Sequence, residues 1–208
     1  MNIINRLQTV LIVAGVVLAT AASAQVITPV SISAVGSFNN SLSLVADGFV
    51  PPENTGWTAS ENVFWTGYDT AITLDYGSSH HITDVLVSVD NNDFYQLEYS
   101  LDGINYSPLF TILASDGNVP VSPGGMDTMS TDASSPEYVA GIDFVPVDAQ
   151  FLRFSAVPGG DALNSVGEIM VTADLGGAVP EPSTYGLIGA AALVGIAAVR
   201  RRRRSATL

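Results

Sequence analysis

The sequence contains no cysteine among its 208 residues. A disulfide framework, a thiolate metal site and a cysteine nucleophile are therefore all excluded. Histidine is almost as scarce, because only His80 and His81 are present. Adjacent side chains of an extended chain point to opposite faces, so this pair does not predict a shared metal ion. A catalytic zinc centre would need carboxylates to complete it.

Lysine is also absent, and positive charge is confined almost entirely to the two ends of the chain. Arg6 lies near the start, residues 200–204 are all arginine, and only Arg153 lies between them. Residues 25–179 carry 19 carboxylates against that single cation. Nucleic-acid affinity depends on cations that displace counterions, so this charge balance excludes a nucleic-acid partner. It also argues against direct adhesion to an anionic membrane surface.

An uncharged apolar run, residues 10–19, follows Arg6 near the start of the chain. The next residues include Ala22-Ser23-Ala24, which fits the small-x-small pattern of a signal-peptidase site. The run is shorter than the ~20 residues that a membrane span needs. We therefore predict a signal peptide over residues 1–24, with the exported chain beginning at Gln25. An uncleaved N-terminal anchor is the alternative.

The last part of the chain, residues 176–208, combines a Pro-Glu-Pro motif, a small-residue apolar run at 186–199 and an arginine block. This order resembles the PEP-CTERM sorting signal. The residues that carry the resemblance are Pro180, Glu181, Pro182, Arg200, Arg201 and Arg202. The apolar run predicts a helix of only ~21 Å, at 1.5 Å per residue. Arginines beside such a helix stay on the cytoplasmic side, so we expect transient anchoring in the inner membrane.

The resemblance implies that an exosortase, an integral-membrane protease, recognises the tail. It further implies a protein exported across the inner membrane of a Gram-negative bacterium, which reaches the cell surface or the extracellular matrix after tail processing. A plain membrane anchor with a chance Pro-Glu-Pro linker is the alternative.

The middle of the chain, residues 25–175, shows short alternating apolar runs bounded by Gly, Pro, Asn and Asp, with no sustained helical period. It predicts one all-β domain, an antiparallel β-sandwich of the jelly-roll type, between the two terminal apolar helices. The predicted strands are residues 26–35, 71–76, 82–90, 94–101, 108–113, 138–145, 151–156 and 165–174. The predicted inward-facing residues are Ile72, Leu74, Tyr76, Val85, Val87, Val89, Tyr95, Leu97, Tyr99 and Leu101, whereas Gln96, Glu98 and Ser100 should point outward. Residues 114–136 read as a long loop, and Asp102-Gly103 as a tight turn.

The order of several short motifs adds a second resemblance. The motifs are Ala46-Asp47-Gly48, Thr55-Gly56-Trp57, Phe64-Trp65 and the segments 99–106, 151–154 and 164–171. Together they look like a discoidin or coagulation-factor-5/8-type C domain, which is a galactose-binding-like jelly roll. Members of this family hold ligands in loops at one end of the sandwich. Many bind sugars, and those that bind lipid headgroups use basic loop tips that this chain lacks.

The resemblance implies a structural calcium ion held by Asp47, Thr55 and Glu168. Calcium takes oxygen ligands from carboxylates, carbonyls and hydroxyls. The alternative is that Asp47 is a simple turn residue and Glu168 an exposed carboxylate on a strand.

A polar turn supplies the candidate sugar contacts. Asn91, Asn92 and Asp93 could hydrogen-bond to sugar hydroxyls, and Trp57, Trp65 or Tyr95 could offer a face on which a sugar ring stacks. The alternative is a plain connection between two strands, because Asn and Asp tolerate turn geometry.

The function that these features predict is a non-enzymatic protein of the cell surface or matrix that binds carbohydrate, such as an exopolysaccharide, or another matrix component. The sequence holds no Gly-x-Ser-x-Gly nucleophile motif, and no pair of carboxylates stands out for glycoside cleavage. We expect Arg153 to pair with a neighbouring carboxylate. A structural matrix protein that binds no sugar and a glycan hydrolase or lyase are the alternatives.

Overall fold

The computed structural model describes residues 24–122 and 124–174. The predicted sorting tail lies outside these residues, and so does the predicted signal peptide except for Ala24. Within the two described ranges, no helix is long and apolar enough to cross a membrane.

The described residues contain nine β-strands and one short 3₁₀ helix, Leu42–Ala46, joined by loops and turns. The strands are β1 Ala24–Ile27, β2 Ser31–Val35, β3 Val63–Thr66, β4 Ala71–Asp90, β5 Phe94–Ser100, β6 Ser107–Ile112, β7 Met126–Ser130, β8 Val147–Val157 and β9 Leu163–Asp174. Every pair of neighbouring strands is antiparallel.

Strand β4 is shared by the two layers of the sandwich. Its first half pairs with β2 and β8, with Ile72 opposite Phe154. Its second half pairs with β7 and β9, with Val87 opposite Ile169. One layer therefore has the order β2-β4-β8-β5-β6, and the other contains β7-β4-β9 with β1 and β3 added to β9. The predicted all-β antiparallel sandwich is confirmed.

Three aromatic rings join the layers in the core. Trp65 on β3 meets Tyr95 on β5 and Phe154 on β8 edge-on, at centroid distances of 6.5 and 6.4 Å. Tyr95 and Phe154 stack on each other at 5.2 Å. All three side chains are fully buried, and aromatic pairs of this kind add stability beyond their buried area.

The predicted alternation is confirmed along β4, where Ile72, Leu74, Tyr76, Val85, Val87 and Val89 are all buried. It also holds for Tyr95 and Leu97, but it is wrong at the end of β5. Leu101 is 59% exposed and Ser100 is buried. The strand ends at Ser100 because its hydroxyl oxygen accepts the N–H groups of Asp102 and Gly103 and so closes the predicted turn.

Several strand assignments from the sequence are wrong. Strand β3 is not among the predicted strands, and the two predicted strands 71–76 and 82–90 form the single strand β4. Residues 138–145 form no strand: Tyr138 makes one isolated bridge to Ser130, and the Ile142 N–H donates to the Val139 carbonyl in a turn. Strand β7 lies inside the predicted loop 114–136, and the predicted strand 26–35 is divided into β1 and β2. Alternation is the signal of a strand with one solvated face, whereas all five residues of β7 are buried, so no such signal exists there.

The aromatic contact between the layers leads to a stability prediction. Trp65→Ala should lower the free energy of unfolding by about 3–5 kcal/mol, because it leaves a cavity between Tyr95 and Phe154. Denaturant unfolding of the purified protein measures this loss. Tyr68→Ala, at a ring that is 37% exposed, is the control and should cost less than about 1 kcal/mol. Equal losses would show that Trp65 does not hold the layers together.

Candidate functional site

A cleft lies at the end of the sandwich where β4 turns into β5. It is open to solvent, and the space between its walls and its mouth is about 420 Å³. We call it the end cleft, and it is lined by Gly56, Trp57, Asp90, Asn92, Gly124, Gly125, Asp161 and Leu163. These residues come from four separate segments of the chain, so the cleft exists only in the folded domain.

Asp90 is the last residue of β4 and lines the end cleft although it is only 3% exposed. Its Oδ1 accepts the N–H of Gly125 at 3.1 Å. Burial, and then the negative charge of Asp93, raise the pKa of Asp90 to about 6. The cleft therefore contains a carboxyl group that changes its charge close to neutral pH.

Asn92 and Asp161 fix each other across the cleft. The Asn92 amide nitrogen donates to Asp161 Oδ2 at 3.1 Å, and Asp161 Oδ1 accepts the Leu163 N–H at 2.9 Å. The Asn92 side-chain oxygen is buried and has no hydrogen-bond partner among residues 24–122 and 124–174. The bond from Asn92 to Asp161 therefore fixes the orientation of the Asn92 amide at the wall of the cleft.

Trp57 supplies the aromatic surface of the end cleft. Its ring meets Phe64 edge-on at 5.4 Å, and its side chain is half-buried. The Asn62 amide nitrogen donates to the carbonyls of Gly56 and Trp57, at 3.1 and 3.4 Å. The loop that carries the indole is therefore tied to the body of the domain.

The structure separates the four predicted sugar-contact residues into two pairs. Trp57 and Asn92 line the end cleft, whereas Asn91 and Asp93 are buried beneath it. The Asn91 amide donates to the Val119 carbonyl, and Asp93 Oδ1 accepts the Ala162 N–H. Asn91 and Asp93 thus hold the neighbouring loops in place.

The two charged residues that line the cleft, Asp90 and Asp161, are not among the predicted sugar contacts. Asp90 is the first residue of the polar turn that contains Asn91 and Asn92, so its position in the sequence could have indicated that it belongs to the site. Asp161 follows Gly159-Gly160 on a distant loop, and its place beside Asn92 depends on the pairing of β8 and β9 with β4.

Two of the three predicted calcium ligands come together at a second place. Glu168 on β9 is 2% exposed, and its Oε2 accepts the Gly48 N–H at 3.0 Å. Burial, and then the charge of Asp47, raise the pKa of Glu168 to about 7. Asp47 itself is exposed, and its Oδ1 accepts the Phe49 N–H. The backbone carbonyl of Thr55 accepts the Met126 N–H, and within the described residues Thr55 forms no hydrogen bond to either carboxylate.

Asp47 and Glu168 fit a calcium ion in their chemistry. A buried carboxylate beside a second carboxylate lacks a positive partner, and a hard cation with oxygen ligands would provide one. The described residues contain one arginine, Arg153, which forms its predicted ion pair with Glu98 at 2.7 Å. No group of three His, Asp or Glu side chains in the described part of the chain is placed to hold a metal, so carbonyl oxygens would have to complete the site.

The raised pKa of Glu168 predicts an unusual pH dependence. Its folded value of about 7 lies above the ordinary value of 4.5, so its stabilising contribution is complete below pH 4.5 and is lost as the pH rises through 7. In the presence of a chelator, Glu168→Gln should raise the melting temperature at pH 8 by about 2–6 °C. The melting temperature of Glu168→Gln should still fall as the pH rises toward 6, because burial also raises the pKa values of Asp90 and Asp93 to about 6. Above that pH its melting temperature should level off.

Thermal unfolding between pH 4 and 8 tests this prediction, and Glu53→Gln, at an exposed carboxylate, is the matched control. At pH 8 calcium should stabilise the parent protein and leave Glu168→Gln unchanged. A variant that melts below the parent in chelator at pH 8 would contradict the assignment of an uncompensated buried charge.

The comparisons with known proteins describe the tail and the domain separately. Among solved structures, the chain is similar to a truncated AlyQ with CBM32 and alginate lyase domains, at 14% identity and a TM-score of 0.48. The match covers 73% of this chain and about a third, 34%, of that one.

Two isolated modules also match. A family 32 CBM from Clostridium perfringens NanJ, in complex with galactose, has 14% identity and a TM-score of 0.45, over 72% of this chain and 98% of that one. A pectin-binding carbohydrate binding module has 18% identity and a TM-score of 0.42, over 70% and 91% of the two chains. No curated protein matches the chain.

A family model, the PEP-CTERM protein-sorting motif, matches residues 178–204. The match includes the Pro-Glu-Pro motif and the arginine block from which the sequence predicted a sorting signal. That prediction is confirmed: the chain carries a PEP-CTERM sorting motif at its C-terminal end.

Proposed function

We propose that this protein is a non-enzymatic carbohydrate-binding protein of the cell surface or extracellular matrix, and that the end cleft is its binding site. The observation that supports this proposal most directly is that Trp57 lines one cleft together with Asp90, Asn92 and Asp161. A sugar ring has an apolar C–H face that packs on an indole, and it has hydroxyl groups that donate to carboxylate and amide oxygens. The cleft presents both kinds of surface.

The cleft groups are held in place before any ligand arrives. Asn62 and Phe64 fix Trp57, and Asp161 fixes Asn92. Gly125 fixes Asp90 through its backbone N–H. A site that is already ordered loses little conformational entropy on binding, which supports recognition of a small polar ligand.

The sorting motif marks the chain as exported and sorted. We propose that an exosortase cleaves the tail while the apolar segment 186–199 anchors the chain in the inner membrane of a Gram-negative bacterium. The released domain would then meet an extracellular polysaccharide as its partner. We also propose a structural calcium ion at Asp47 and Glu168, where it would neutralise a buried carboxylate.

A glycan hydrolase is the second candidate, and one observation favours it. Asp90 has a raised pKa and shares a cleft with the second carboxylate of Asp161, and glycosidases use such pairs as acid and base. The Asp90 carboxylate, however, already accepts a backbone N–H from Gly125, which suits a loop-holding role better than proton transfer.

The binding proposal predicts a loss at Trp57. Trp57→Ala should weaken glycan binding about tenfold, because the stacking surface for the sugar ring is removed. Calorimetric titration of the purified protein with galactose, with amino sugars and with the exopolysaccharide of the producing bacterium measures the change. Tyr68→Ala, at an exposed ring that does not line the cleft, is the control. An unchanged affinity in Trp57→Ala would place the binding site elsewhere.

The same titrations separate binding from cleavage. The proposed protein releases no reducing ends from a glycan that it binds. Release by the parent that disappears in Asp90→Asn would establish the hydrolase instead.

The sorting proposal predicts a processing defect. Replacing Pro180, Glu181 and Pro182 by alanine should leave the full-length chain in the inner membrane of a host that has an exosortase. Immunoblots of membrane and extracellular fractions detect the uncut form. Alanine at Ser183, Thr184 and Tyr185 is the control, and release of both variants at the rate of the parent would contradict a role for the motif.

A further inference from the structure

The end cleft carries a net negative charge that no cation offsets. The carboxylates of Asp90 and Asp161 line it, and that of Asp93 lies close enough to raise the pKa of Asp90. The described residues contain a single arginine, Arg153, whose guanidinium pairs with Glu98 and lies over the ring of Tyr106. The electrostatic field of the cleft is therefore that of its carboxylates.

Among the residues that the structure describes, the carboxylates that line the cleft have only uncharged partners. Asp90 Oδ1 accepts the Gly125 N–H, and Asp161 accepts the Leu163 N–H and one hydrogen of the Asn92 amide. A ligand that brings further N–H or O–H donors therefore complements the cleft, and a positive charge adds to its affinity.

We propose, building on the carbohydrate-binding function above, that the end cleft selects sugars that carry a free amine and rejects uronic acids. The ammonium group of a hexosamine would lie between Asp161 and Asp90, with the sugar ring against Trp57. An ammonium group near an indole face gains a further attraction. A uronate would bring its own carboxylate toward the same acids, with no cation in the cleft to receive it.

The affinity for neutral sugars is the reference against which the preference for amino sugars is measured. Neutral sugars can stack on Trp57 and donate hydroxyl groups, but they leave the carboxylates without a counter-charge. Acetylation of the amine removes the positive charge and keeps the sugar ring, so an amino sugar and its N-acetyl form are a matched ligand pair.

The test measures binding of the full-length protein to four small probes by calorimetry at pH 7 and low salt. The probes are the β-1,4-linked disaccharides of glucosamine and of N-acetylglucosamine, the α-1,4-linked disaccharide of galacturonic acid, and spermidine as a cation that has no ring. The free-amine disaccharide should bind about tenfold more tightly than its acetylated form, and galacturonate should not bind. Asp161→Asn should reduce that preference at least threefold. Asp161 is exposed, and the single amide oxygen of the variant can still accept the Leu163 N–H while the bond from Asn92 is lost, so the variant should fold.

Asp148→Asn is the matched control, because it removes one charge at an exposed carboxylate that pairs with His81 on β4, far along the strand from Asp90. It should keep the full preference. Equal or tighter binding of the acetylated or uronic disaccharide would overturn the selectivity and leave the binding function standing. Spermidine binding that matches the amine sugar and survives Trp57→Ala would overturn sugar recognition at the cleft. Absence of binding by every glycan tested would refute the proposed function and this inference with it.

Discussion

The fold depends on one strand that belongs to both layers. β4 is 20 residues long and is hydrogen-bonded to β2 and β8 along its first half and to β7 and β9 along its second. The layers therefore cannot slide independently, because a register slip in either one would turn the buried side chains of β4 to the other face. The strand ends at Asp90, so the same constraint fixes where the end cleft lies.

A domain with one arginine must satisfy its buried acids by other means. Backbone N–H groups replace cations here: Gly48 donates to Glu168, and Gly125 donates to Asp90. The buried Asp127 accepts two such groups, from Asn118 and Val119, and thereby holds the loop before β7. Backbone donors supply hydrogen bonds but only a small positive charge, which explains why burial still raises the pKa of Glu168 and Asp90.

The choice of glycine at position 125 follows from this arrangement. Its φ of +137° lies in a region that L side chains rarely adopt, and a Cβ there would come within 2.9 Å of the Asn54 backbone. Only glycine lets the chain bring an N–H group to Asp90 at this point.

The sandwich could be predicted from the sequence because most strands have one buried and one solvated face. Such strands alternate between apolar and polar residues along the chain. The prediction failed at β7, which is buried on both sides, and at residues 138–145, where apolar side chains such as Ile142 pack into the core from turns. At the site, Trp57 and Asn92 could be proposed from residue type alone. Their partner Asp161 could not, because its position depends on the register of β9 against β4, which no local pattern encodes.

The position of β9 determines when the second layer of the sandwich can be completed during folding. β9 is the last strand of the domain in sequence, yet it pairs with β4, β1 and β3, so the second layer cannot form until residues 163–174 arrive. Contacts between strands this distant in sequence make folding slow, so the sandwich is completed late and from its last segment. β9 ends at Asp174 and the sorting motif begins at residue 178, so the strand that completes the second layer directly precedes the sorting motif in the chain.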